Sequence, residues 1–213
     1  MTSYERVKMT LAHKEPDAVP FDLGASGVTT INVNALRELR SYFGLSNENT
    51  RVIDTVNQTA AVDDDLIEVM GIDVKPVEPC PPNNKGLSRP VWQEGSNRLL
   101  TDEFGITWRM PKDGHYFDLY RHPLADVEEP EEVAAFPWPK GDDPGRFVGM
   151  REKIRRIVHE EKKAFMLGRM NAGMWESAMW MTGYEKFFCD MLLNPSLVHA
   201  IMERFLQVKM EYW

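Results

Sequence analysis

Apolar positions recur at helical spacing along much of the chain, and prolines and glycines punctuate the runs. Tyr4, Val7 and Leu11 share one face, Thr2 and Glu5 stand at capping-box spacing, and Pro16 pushes Glu15 out of helical geometry. Val19-Pro20-Phe21-Asp22-Leu23 then reads as a first strand, ending in the small-residue loop Gly24-Ala25-Ser26-Gly27. A second helix is predicted from about Asn32 to Phe43, on the stripe Val33, Leu36, Leu39 and Phe43, with Gly44 just beyond it. Asp63-Asp64-Asp65 opens a third helix through Leu66, Ile67, Val69 and Met70, and Gly71 follows. Three acids there suit the helix dipole and call for no metal. Residues 72–77 read as the second strand.

Residues 79–97 are rich in Pro, Asn and Gly and show little periodicity. Residues 98–101, 106–110 and 115–120 predict a short antiparallel meander, with Asp113-Gly114 as its better turn. A short helix is predicted over 131–136. Asp142-Asp143-Pro144 signals another helix start, continued by Phe147, Ile154, Ile157 and Val158. Residues 164–170 read as the third strand. Three helical stretches follow, broken at Gly183 and at Asn194-Pro195, and the last carries Val198, Ile201, Met202, Phe205 and Val208 on one side. Strands alternating with helices predict parallel βαβ units.

Composition narrows the classes. The chain has 213 residues, 43% hydrophobic and 27% charged, with a formal net charge of −8. Without a basic stripe, a nucleic-acid partner is excluded. No apolar run suggests a leader or a membrane span. Cys80 and Cys189 do not form a secreted framework, so a cytoplasmic protein with reduced thiols is expected. Thirteen Met and six Trp fit either core filling or a roomy apolar pocket.

The opening Glu5-Arg6-Val7, Leu11-Ala12-His13-Lys14-Glu15-Pro16-Asp17, Val19-Pro20 and Asp22-Leu23-Gly24 resembles the start of the uroporphyrinogen decarboxylase superfamily. The likeness continues through Asp102-Glu103-Phe104-Gly105-Ile106-Thr107-Trp108, His122-Pro123-Leu124, Phe136-Pro137-Trp138-Pro139 and Asp143-Pro144-Gly145-Arg146. Trp175-Glu176, Gly183-Tyr184-Glu185-Lys186-Phe187, Asp190 and Asn194-Pro195 extend it over nearly the whole chain. The resemblance implies an α/β fold: the N-terminal portion of a TIM (β/α)8-type barrel, spanning residues 1–213. That portion would hold about three βα units, extra helices and a β-meander insertion, as a truncated chain, a split gene or a fragmentary gene model would. Its site would lie at the C-terminal ends of the strands.

Two branches of that superfamily differ in chemistry. The decarboxylase branch, of tetrapyrrole biosynthesis, protonates pyrrole carbons without a cofactor and resembles Arg-Gln-Ala-Gly-Arg after its first strand. Here Asp22-Leu23-Gly24-Ala25-Ser26-Gly27 stands instead, with no arginine to hold a polycarboxylate. Trp180 falls where that branch resembles a Tyr, and Glu78 and Cys80 both fit the acid after the second strand. The expectation is therefore a methyltransferase acting with a corrinoid partner protein, with the decarboxylase and a non-catalytic half-barrel as alternatives. The zinc of the methyltransferase branch resembles a His-x-Cys pair plus a distant Cys; this chain has no His-x-Cys, and no metal ligand is assigned. Asp22 is the candidate catalytic residue, either as acid or base or as a turn former. Arg169, Asn171, Glu176 and Trp180 are the candidate residues for a small-molecule substrate. A homo-oligomer is compatible with an unpaired parallel edge.

Overall fold

The computed structural model describes residues 1–170 and 172–213. In chain order these hold α1 (Ser3–Leu11), α2 (Val33–Tyr42), β1 (Val52–Asp54), β2 (Thr59–Ala60), α3 (Asp64–Met70) and β3 (Val74–Val77). Next come β4 (Arg89–Glu94), β5 (Asn97–Thr101), β6 (Thr107–Met110), β7 (Asp118–Arg121), α4 (Pro130–Ala135) and α5 (Met150–Arg155). The chain continues with β8 (Ala164–Leu167), α6 (Met174–Thr182), α7 (Tyr184–Leu193) and α8 (Pro195–Tyr212). Two compact units divide them: Met1–Cys80 with Phe147–Arg169, and Pro81–Arg146 with Met170–Trp213. No helix among the described residues is long and apolar enough to cross a membrane. The sheets are small, and none of them closes.

In the first unit β3 and β8 pair in parallel, with Val74 opposite Ala164 and Val77 opposite Leu167. These are the cores of the segments expected at 72–77 and 164–170, the latter ending three residues early. The segment 19–23 forms no strand. Phe21 alone runs beside β3, its carbonyl accepting from the Asp73 N–H at 2.8 Å. Its own N–H is taken by the Asp73 carboxylate at 2.9 Å. Pro20 has no N–H to give, so the ladder stops there. Two features were not expected: the antiparallel β1–β2 pair, and a π-helical turn, Arg156–Glu160, that continues α5. The core gathers Val33, Leu36, Val62, Leu66, Ile67 and Ile72, while Ala25 packs with Val74 and Ala164.

The second unit is a four-stranded antiparallel meander, β4-β5-β6-β7, with α4, α6, α7 and α8. It has one strand more than expected, because β4 pairs β5 within the segment read as irregular. Asp143 ties the base of this unit by accepting the N–H groups of Asn83, Asn84 and Gly145 at 2.8, 3.1 and 2.9 Å. Phe205 stacks on Phe104 and takes Trp138 edge-on, which uses the tryptophan as core filling.

Candidate functional site

Parallel strands deliver their next residues to the same edge. After β3 comes Glu78, and after β8 comes Gly168, whose N–H donates to the Val77 carbonyl at 2.8 Å. A Cβ on Gly168 would lie 2.0 Å from Glu78 Oε2, so glycine leaves the room that this carboxyl occupies. Its other oxygen, Oε1, is buried without a hydrogen-bond partner. Burial pushes the Glu78 carboxyl above its ordinary pKa; Lys153 and Arg169 oppose this without cancelling it, and Asp54 adds to it.

Lys153 comes from α5 and is half-buried. Burial lowers its pKa, as do Arg51 and Arg156, while Glu78 and Cys80 act the other way. The two shifts run toward each other: the carboxyl keeps a proton more readily and the amine loses one more readily. Such a pair can hold and pass a proton to a bound molecule. Lys153, but not Glu78, lines a cavity of about 330 Å³ whose walls also include Arg51, Asp63, Lys75 and Arg156, with Val62 and Ile157 as apolar surface.

No family model, curated protein or solved structure matches the chain. What the site can do follows from its own residues.

The structure places the candidates named from sequence in two groups. Asp22 and Arg169 lie in the first unit, Glu176 and Trp180 in the second. Asp22 Oδ1 accepts the Ala25 N–H at 3.0 Å, which is the turn-forming role. The loop closes further through Gly24 N–H to the Thr29 carbonyl and Ser26 N–H to Thr29 Oγ1, both at 3.0 Å. Gly24 sits at φ +91°, where a Cβ would meet Val62. Arg169 is exposed, and its charge reaches Glu78. Glu176 is exposed in the first turn of α6. Trp180 packs edge-on against Trp108 at 5.1 Å, and its carbonyl accepts from His122 Nδ1 at 2.8 Å. Asn171 lies outside the described residues.

The residues present do not fit the zinc that the methyltransferase branch implies. Among the described residues no three His, Cys, Asp or Glu side chains converge on one point. Cys80 and Cys189 are both free and exposed, and each belongs to a different unit. Sequence reasoning missed Arg51, Lys153 and Arg156. Lys153 and Arg156 stand three apart in Arg-Glu-Lys-Ile-Arg-Arg-Ile, which shows that they share a helix face. In sequence such a face is indistinguishable from a solvated one.

Proposed function

We propose that the chain is a uroporphyrinogen decarboxylase-like α/β enzyme unit, the N-terminal portion of a (β/α)8-type barrel, that moves a proton to or from carbon in a small carboxylate substrate. The observation that supports this reading most is Glu78, a carboxyl with raised pKa and one unbonded buried oxygen at the C-terminal edge of a parallel strand pair. In the decarboxylating direction the bond from carbon to the carboxylate breaks, its electron pair stays on carbon, and CO2 departs. Protonated Glu78 then gives its proton to that carbon and takes another from water, with the Lys153 charge acting on it from nearby. Arg51 and Arg169 supply positive charge for the anion. The free thiols of Cys80 and Cys189 support a reducing, cytoplasmic setting.

A second reading is methyl transfer with a corrinoid-carrying partner protein. It draws support from the loop 22–27, which has no arginine for a polycarboxylate and whose Asp22 is bonded to Ala25.

The test incubates the 213-residue chain with pyrrole-2-acetate, small 2-oxo acids, lactate and alanine in deuterated water and follows deuterium incorporation at carbon by NMR. The acid–base reading expects incorporation that falls by about 10²–10⁴ in Glu78→Gln. No incorporation with any probe, or rates indifferent to Glu78→Gln, overturns it. Demethylation of methylcobalamin by a thiol, read as the cob(I)alamin absorbance, instead supports the second reading.

A further inference from the structure

The cavity beside Lys153 carries two unmet demands of opposite sign. On one wall Asp63 occupies the N-cap position of α3, yet its side chain makes no capping bond. Its Oδ2 is buried with no hydrogen-bond partner. In the same lining Lys153 is half-buried and makes no ion pair among the described residues, and the exposed Arg51 makes none either. The remaining charges are already used. Lys75 Nζ pairs with Asp64 at 2.7 Å and Glu161 at 2.6 Å, and Arg156 Nε donates to Glu161 at 3.1 Å.

Asp63 and Lys153 line one space without reaching each other. Buried polar groups ordinarily find partners, and those of a binding site find them in the ligand. An anion alone would answer Lys153 and Arg51 but leave Asp63 facing like charge. A cation alone would do the reverse. Only a molecule carrying both an anionic group and a nearby donor meets both walls, with its carbon skeleton against Val62 and Ile157.

We infer that this cavity binds a small carboxylate whose neighbouring carbon bears a donor, a 2-hydroxy or 2-amino acid, with the carboxylate on Lys153 and Arg51 and the donor on Asp63. This names the substrate class for the acid–base reading above and rests on it for its chemistry.

Propionate, lactate and alanine share one skeleton and differ only in the donor. Calorimetric titration of the full chain should show lactate or alanine binding about tenfold or more tightly than propionate. Arg51→Met and Lys153→Met should each weaken that binding by about tenfold, while Lys153→Arg stays within about threefold. Asp63→Asn separates the two sources of donor: it abolishes a preference for alanine and leaves lactate, whose hydroxyl can still donate to the amide oxygen. Circular dichroism of each variant verifies folding, and the charge-conserving Lys153→Arg guards against a loss due to unfolding. Equal binding of all three acids, no binding of any, indifference to the Met variants or, where alanine is the preferred acid, indifference to Asp63→Asn overturns the inference. Intact binding without deuterium incorporation overturns the acid–base reading alone.

Discussion

At the scale of single residues, the chain holds a carboxyl where it costs stability. Glu78 keeps one oxygen buried and unbonded, and its raised pKa means that the folded chain binds its proton more tightly than the unfolded chain. Stability contributed at this position therefore falls as pH rises through the carboxylate range. Glu78→Gln should raise folding stability by roughly 1 kcal/mol at pH 8 and by less at pH 4, read by urea denaturation. A stabilised but inactive variant is the expected pattern for a functional strain. Gly168→Ala tests the same contact from the other side. The added methyl meets Glu78 Oε2 and Pro79 Cδ; the carboxyl can swing away but the proline ring cannot. A loss of about 1 kcal/mol is expected, with a larger relative loss of deuterium exchange, because the carboxyl leaves its place.

At the scale of elements, α1 shows how a helix without a buried residue is held. Its capping box forms as the spacing of Thr2 and Glu5 predicts. Val7 packs against the buried Ala25, Val74 and Ala164, and an ion-pair bridge adds to that contact. Arg6 spans from Asp17 at 2.8 Å to Asp73 at 2.6 Å, and Asp73 is almost fully buried. Burial alone would raise the Asp73 pKa, but the N–H of Phe21, Ser3 and the Arg6 guanidinium hold it below the usual value. Arg6→Met should cost about 3 kcal/mol by chemical denaturation, because it strands a buried carboxylate. Arg6→Lys should recover only part of this, since one ammonium cannot reach both carboxylates with a planar fork. The same Asp73 explains why no strand forms at 19–23: its side chain takes the N–H that a ladder needs.

At the scale of the whole molecule, the carboxylates divide by the sign of their shifts. Burial pushes Asp102 up to about 6, although Trp108 Nε1 and the N–H groups of Ile106 and Phe104 donate to it. Between about pH 4 and 6 the folded chain keeps a proton on Asp102 that the unfolded chain has released, so stability falls as pH rises across that window. Asp17, held at about 2 by Arg6, acts the other way, as do Asp65, Asp73 and Asp143. Their stabilisation is present above the ordinary carboxylate range and is lost as pH falls through their lowered values. Stability should therefore peak near pH 4, at the acid end of that window. Asp102→Asn should flatten the alkaline limb by at most about 3 kcal/mol. Urea denaturation across pH, followed by tryptophan fluorescence, reads both, since Trp108 bonds Asp102 at 2.9 Å.

Local chemistry was legible in the sequence. The left-handed Gly44 and Gly71 end α2 and α3 as their positions predict, and the helical stripes of α2 and α8 bury Leu36, Ile201 and Phe205. The second and third predicted strands pair in parallel because apolar runs joined by long crossovers can do little else. Turn chemistry at Asp22 was legible too, as one of two roles. Apart from the parallel pairing, each of these depends on residues within a few positions of one another. The proton-holding pair does not. Glu78 and Lys153 lie 75 positions apart, and the cavity joins Arg51 and Asp63 to Lys153 of α5 across 102 and 90 positions. A charged residue on a helix reads as solvated until folding decides what covers it. Burial and unmet hydrogen bonds are properties of neighbours that the chain brings together only when it closes. By itself, then, the sequence determined most of the helices, the caps at Thr2, Gly44 and Gly71 and the parallel pair, but not the start of α5, which it read at Asp142-Asp143-Pro144 and which lies at Met150. Which carboxyl would be deprived of water, and which lysine would face it, was decided by tertiary packing, because desolvation depends on everything within several ångströms and nothing in the local order of residues encodes it.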